Sequence, residues 1–306
     1  MSKPTVGFVG VGLMGHGMAK NLVSKGWPLV VLGHRKREPV EHLKSLGARE
    51  AATPRELAAQ CEIVHLCVTG SPQVEALMRG PDGLLAGADP VKRAGTVIID
   101  CSTSNPVSTL ALAEEAKARG VHFVDAPLSR TPKEAEAGTL DTMVGAEPEV
   151  FARIAPVLRA WAGNVVHLGP VGLGHKMKLI NNFVAMGYAA LFSEALAIAR
   201  KSGLTVEQFH SVIGSGRMRS PFYDTFMQWT LAGDENAHRF TIANAHKDMR
   251  YLAAMANEAG AVNLLQPQVK NMFAAMQAAG QGERFVPMLA DFIAGLNGLA
   301  PAGSKE

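Results

Sequence analysis

A chain of 306 residues with 47% hydrophobic composition is long enough for two domains, each with its own core. Charged residues make up 19% and the net charge is only +3, so composition gives no case for a nucleic-acid partner. Cys61, Cys67 and Cys101 are too few and too widely spaced for a disulfide framework, no secretory pattern precedes the first strand, and no uncharged stretch looks long enough to span a bilayer, so a reduced, cytoplasmic protein is expected.

Thr5 to Gly10 reads as a short apolar strand. Gly10, Gly12 and Gly15 follow as GVGLMG, and a helix continues through Met18 to Val23. Strand before and helix after are the context that makes G-x-G-x-x-G meaningful. Gly10 allows a tight turn, Gly12 lets a pyrophosphate approach the backbone, and Gly15 lets helix pack on strand. The N–H groups of the helix start, with the positive end of its dipole, then face the phosphates. Leu13 and Met14 lie within this loop.

The next strand is Leu29 to Leu32. An acid at its end would bind the ribose hydroxyls of NAD, whereas arginine suits a 2′-phosphate. The chain reads Gly33-His34-Arg35-Lys36-Arg37, with the first acid at Glu38. NADP is therefore favoured over NAD, with His34, Arg35 and Lys36 as candidate contacts; solvated loop charges are the plainer alternative.

More strand–helix units follow. Thr53-Pro54-Arg55-Glu56 has the form of a capping box. Ile63 to Val68, Val97 to Asp100 and Val121 to Val124 read as strands, with Ser71-Pro72 and Asn105-Pro106 opening helices. Open parallel sheets bind ligands beyond the carboxyl ends of their strands, which makes Thr69, Ser102 and Thr103 candidate cofactor contacts. A capping or turn hydroxyl is an equally good reading of each.

Gly172 to Arg200 reads as one long helix whose apolar residues wrap nearly all the way round, so burial between two halves of the chain is expected. It is interrupted by Asn181, Asn182 and Glu194, and it carries Lys178 and Asn182 on one face near its start. From Leu204 onward only helices are expected. Thr205 to Gln208 forms a capping box, Ser220-Pro221 opens a helix, a polar loop follows Leu231, and a helix runs from about Thr241 to Glu258. Two further helices cover about 264–279 and 283–295, and residues 301–306 are expected to be disordered. The methionines suit helix packing, His246 reads as structural, and none of the ten histidines has metal-ligand spacing.

Five stretches together resemble the β-hydroxyacid dehydrogenase family: GFVGVGLMGHGMAKNL (7–22), DCSTSNP (100–106), DAPLSRTPKEAEAGTLDTMVGA (125–146), GHKMKLINN (174–182) and AHKD (245–248). The resemblance covers nearly the whole chain. It implies a Rossmann-type doubly wound α/β domain over 1–168 and an all-α substrate and oligomerisation domain over 169–306, including an interdomain helix at 175–201, with the active site between them. It also implies a homodimer or homotetramer, no nucleic-acid or membrane partner, and a small anionic carbonyl or hydroxy acid as substrate. By the same resemblance Met14 lies near the nicotinamide, Lys178 is the catalytic lysine, Asn182 holds the substrate carboxylate and helps place Lys178, Ser129 binds the acid group, and Lys247 reaches the cofactor or closes the cleft, with Asp248 beside it.

Chemistry agrees: hydride transfer to a carbonyl needs a proton donor for the forming alkoxide, and an ammonium supplies one. One departure stands out. The family usually has two glycines after the serine; here they are Arg130 and Thr131. Arginine offers a planar fork suited to carboxylate, sulfonate or phosphate, and the pair resembles that of sulfolactaldehyde reductase. An imine reductase of similar architecture is an alternative, but those relatives typically lack the lysine. A nucleotide-binding module without chemistry is the other alternative.

Overall fold

The computed structural model describes residues 3–88 and 95–302. The chain divides into two compact units, Met1–Lys178 and Leu179–Glu306.

In the first unit, β1 (Val6–Val9), β2 (Leu29–Leu32), β3 (Arg49–Ala51), β4 (Ile63–Leu66), β5 (Val97–Asp100) and β6 (His122–Asp125) form a parallel sheet in the order β3-β2-β1-β4-β5-β6. Strands β1, β4 and β5 are buried along their whole length, as expected when helices cover both faces of a parallel sheet. Three further strands extend the sheet: β7 (Leu128–Ser129), β8 (Leu140–Gly145) and β9 (Ala162–Gly169). Strand β8 runs antiparallel to β6 and β7 and parallel to β9. The sequence reading has no strand at β3, β7, β8 or β9. Strand β3 is only Arg-Glu-Ala and β7 only two residues, too short for any period to show.

The helices of this unit are α1 (Gly15–Ser24), α2 (Glu38–Ser45), α3 (Pro54–Gln60), α4 (Ser71–Met78), α5 (Leu84–Gly87), α6 (Pro106–Lys117), α7 (Pro132–Ala137) and α8 (Pro148–Leu158). Four of them, α3, α6, α7 and α8, open on proline, whose missing N–H costs nothing in a first turn. The Asn105 side chain caps α6 by accepting from Val107 N–H at 3.2 Å. The capping box expected at Thr53 is only half made. Thr53 Oγ1 accepts from Glu56 N–H, but the Glu56 carboxylate reaches the N–H of Ala52 instead.

The second unit is built from helices. It contains most of α9 (Leu173–Lys201), then α10 (Val206–Ile213), α11 (Pro221–Ala232), α12 (Ile242–Glu258), α13 (Gln266–Met276) and α14 (Leu289–Leu296). Both halves of the capping box at Thr205 are formed, and Ser220 and Thr241 cap α11 and α12. Phe226, Phe273, Tyr223 and the methionines Met186, Met227, Met249, Met276 and Met288 fill the core. Unbranched thioether side chains fit the irregular gaps between helices. Of the tail expected to be disordered, residues 303–306 lie outside the described residues.

Helix α9 departs from expectation. Leu179, Met186, Phe192 and Leu196 are buried, but Ile180, Val184, Leu191 and Ile198 are exposed, between 44% and 61%. An apolar circumference is therefore not a buried one: the chain covers one side of this helix and leaves a stripe at helical spacing uncovered. Against the reading that no stretch could span a bilayer, α9 is long and apolar enough by length and composition alone. Half of its most apolar window is nevertheless buried inside the protein, as in a core helix.

Candidate active site

The loop after β1 behaves as its glycines require. Gly10 has φ +94°, and a Cβ there would sit 2.1 Å from the Cys67 carbonyl oxygen. A Cβ on Gly15 would fall 2.0 Å from the Gly10 carbonyl oxygen, so Gly15 sets how closely α1 seats on β1. At Gly12 a Cβ would meet no protein atom within 4 Å. Gly12 and Leu13 are exposed, and Met14 closes the loop at the start of α1. Here is a cradle of backbone N–H groups at a helix N-terminus, open above Gly12, which fits a dinucleotide pyrophosphate.

At the end of β2, Gly33 stands where NAD-binding chains carry an acid. A side chain there would collide with Arg37 Nη1 and Glu50 Oε1, both at 2.4 Å. Arg37 is committed to carboxylates: its guanidinium donates to both oxygens of Glu50, at 2.6 and 2.8 Å, and to Glu41 at 2.7 Å. The hydrogen bonds from Arg37 hold the Glu50 carboxyl at about 2, below its ordinary value. Of the basic run, His34, Arg35 and Lys36 are the exposed members outside this cluster. That donor set suits an anionic 2′-substituent.

The carboxyl end of β4 lies beside that of β1 in the sheet, and that of β5 lies next beyond it. They bring Thr69, which is exposed, near Ser102 and Thr103. Ser102 is buried, and its hydroxyl accepts from Val68 N–H at 3.0 Å, so this side chain ties two strand ends together.

Ser129 ends β7, and Arg130 and Thr131 make the turn into α7. Arg130 has φ +83°, the one positive φ outside glycine among the described residues. Its Nε donates to Asp141 Oδ2 at 2.8 Å from the facing strand, and its side chain is half exposed. Thr131 opens α7, and the Glu134 carboxylate accepts from both its hydroxyl (2.5 Å) and its N–H (3.0 Å). The sequence reading assigns Thr131 to substrate; the structure gives it a helix-capping bond as well. Helix α7 is in turn locked to α1. A Cβ on Gly17 would strike the Ala135 backbone at 2.5 Å, and Glu136 takes bonds from His16 and Lys20. The glycine loop and the Ser129–Thr131 loop are thus held together through their helices.

Lys178 lies at the end of the first turns of α9 and is partly buried. The helix start is fixed by Asp125 from the end of β6, whose two carboxylate oxygens accept from Gly172 N–H and His175 N–H, each at 2.7 Å. Burial pushes the Asp125 carboxyl above its ordinary value, against the lowering pull of His175 and these N–H groups. Asp125 and His175 lie inside the stretches 125–146 and 174–182, but nothing in local spacing reveals a cap supplied from 47 residues away.

One turn beyond Lys178 on the same helix is Asn182, which is buried and donates to Asp248 Oδ2 at 2.7 Å. The other oxygen of Asp248 lies 2.9 Å from Lys247 Nζ. Asp248 is fully buried, so amide and ammonium together compensate its charge. Lys247 also sits over the Tyr251 ring, 5.1 Å from its centroid. His246 is engaged elsewhere, with Gln277 Oε1 at 2.7 Å.

The profile of the NAD binding domain of 6-phosphogluconate dehydrogenase matches residues 5–169, and that of the NAD-binding domain of NADP-dependent 3-hydroxyisobutyrate dehydrogenase matches residues 172–289. The chain belongs to the β-hydroxyacid dehydrogenase family. It is similar to 2-(hydroxymethyl)glutarate dehydrogenase of Eubacterium barkeri, at 32% identity over 301 residues and 98% of each chain. It is also similar to 3-sulfolactaldehyde reductase of Escherichia coli, at 29% identity over 280 residues, covering 91% of this chain and 92% of the relative. Among solved structures, 3-hydroxyisobutyrate dehydrogenase of Mycobacterium tuberculosis with L-serine matches with a TM-score of 0.83 at 25% identity, over 95% of this chain and 99% of that one. The protein is an NAD(P)-dependent hydroxyacid dehydrogenase of the 3-hydroxyisobutyrate dehydrogenase type. The positive φ of Arg130 is a backbone shape that glycine adopts far more readily than arginine, in line with the glycine pair that the resemblance leads one to expect at 130 and 131.

Proposed function

We propose that the enzyme interconverts a small anionic semialdehyde and its hydroxy acid with NADP(H), using Lys178 as the general acid and base. The observation that carries the substrate class is Arg130. A cation is kept in a left-handed backbone position, its fork steered through Nε by Asp141, in the loop that follows Ser129. Retaining a side chain where glycine is favoured costs about 1–3 kcal/mol, which a substrate contact would justify. The relatives named above act on a hydroxymethyl dicarboxylate and on a sulfonated aldehyde, and both substrates are compact, oxygenated anions.

The bound nicotinamide supplies or accepts the hydride. Ser129 and Arg130 hold the acid group of the substrate. Lys178 Nζ donates a proton to the carbonyl oxygen as the alkoxide forms, and takes it back when the alcohol is oxidised. Asn182 spends one amide N–H on Asp248, which fixes the plane of the amide and leaves its second N–H and its oxygen for substrate. The preference for NADP rests on Arg35 and Lys36 beside the Arg37–Glu50 pair. The uncovered apolar stripe of α9 supports the homo-oligomer that the family resemblance implies.

The test is consumption of NADPH and NADH with short aldehydes bearing carboxylate, sulfonate or phosphate, with Lys178→Ala run beside the wild type. Turnover with one anionic class is expected, with NADPH preferred. In Lys178→Ala, kcat should fall about 100-fold to 10,000-fold with cofactor binding retained. A lysine variant with wild-type kcat, or wild-type preference for uncharged aldehydes, would sink the proposal.

A further inference from the structure

We infer that His175 is a positioning residue that latches the start of the Lys178-bearing helix to the loop at the carboxyl end of β5. The imidazole is fully buried. Its Nε2 lies 3.1 Å from the Ser102 carbonyl oxygen and its Nδ1 lies 2.7 Å from Thr109 Oγ1 on α6. A carbonyl only accepts, so Nε2 carries a proton and donates to Ser102. Asp100 Oδ2 stands 3.8 Å from Nε2 and Asp125 Oδ2 stands 4.0 Å from Nδ1. Asp100 is itself held by Ser102 N–H at 2.9 Å and Ser104 Oγ at 2.7 Å.

One ring therefore joins three elements, β5's loop, α6 and α9, and its own backbone N–H completes the Asp125 cap. His175 is three residues before Lys178, so both project from neighbouring positions on one face of the helix. A helix start that pivoted by an ångström would carry the lysine amine with it, and misplacement of that size alone can cost about 100-fold in rate. The Ser102 segment is the same loop assigned to the cofactor side. The latch thus sets the height of the amine relative to that loop, and a core histidine with apolar neighbours would not do this.

The inference rests on the reaction proposed above. Its test compares His175→Leu, which keeps bulk and removes both bonds, His175→Gln, which restores a donor toward Ser102, and Thr109→Val. In His175→Leu, kcat should fall about tenfold to 100-fold while the Michaelis constant for the carbonyl changes less than about threefold. His175→Gln should recover most of kcat, and Thr109→Val should lose about threefold to tenfold. Unchanged kcat in the leucine variant, or a glutamine variant no better than leucine, would overturn the latch. Should the leucine variant not fold, the glutamine and valine variants decide by the same criteria. Absence of wild-type turnover with every aldehyde would refute the reaction instead. Amide exchange at residues 173–178 would then judge the latch alone: rates in Thr109→Val and His175→Gln equal to wild type reject it, and faster exchange in the valine variant only supports it.

Discussion

Gly10 and Arg130 occupy nearly the same backbone region, φ +94° and +83°, each in a turn that leads from a strand into a helix. Their chemistry is opposite. At Gly10 a Cβ would sit 2.1 Å from a backbone oxygen, so the position works only by having no side chain. At Arg130 a long cationic side chain is kept although its backbone conformation disfavours it. The first turn presents backbone N–H groups to a part shared by all dinucleotides. The second presents a half-exposed cationic side chain tied to Asp141, which the function proposed above assigns to the acid group of the substrate.

The sharpest way to break that comparison is Gly10→Ala. The Cys67 carbonyl is backbone and cannot swing aside, so the strand ends of β1 and β4 would have to separate. A loss of about 3 kcal/mol or more in unfolding free energy is expected, with loss of cofactor binding, measured by denaturant titration and NADPH fluorescence. A variant as stable as wild type would show that the loop is far more plastic than its contacts imply.

Arg130→Gly should behave in the other way. Relief of the left-handed strain opposes the loss of a surface ion pair worth about 0–1 kcal/mol and the added chain entropy of glycine, so stability should stay within about 1 kcal/mol of wild type. The Michaelis constant for the anionic substrate should rise about tenfold to 100-fold, the usual cost of a lost hydrogen bond between charged groups. Unchanged kinetics with raised stability would mean that the arginine serves only Asp141.

Sequence revealed the parts whose chemistry is local. The glycine spacing, the β1–α1 turn, the basic end of β2, the caps at Asn105 and Thr205, the helix start at Ser220-Pro221, and the helices of the second unit could be read from neighbouring residues. Contacts made over long separations could not. The cap of α9 comes from Asp125, the partner of Arg130 is on β8, and Asn182 is oriented by Asp248, 66 positions later. Strands β7 to β9 are not legible because a mixed extension of two to eight residues, with register shifts between β8 and β9, carries no sustained period. Exposure on α9 was missed for a different reason: periodicity shows which residues are apolar, and only the fold shows which side of the helix is covered.

The smallest effect sharpens the comparison at a third strand end. A side chain at position 33 would meet the ends of the Arg37 and Glu50 side chains, and the function proposed above gives the ribose to Arg35 and Lys36. Both are exposed, so the pull of each on a phosphate is screened by salt and worth about 1 kcal/mol or less. Arg35→Ala should therefore weaken NADPH about threefold to fivefold, leave NADH within about twofold, and lose most of that difference at high salt. Placing an acid at the same end without removing the pair, as in Gly33→Asp, should not create an NAD site, because the carboxylate would land against Glu50. Equal affinities of the wild type for the two cofactors would put the specificity elsewhere in the loop and leave the basic residues as solvated charge.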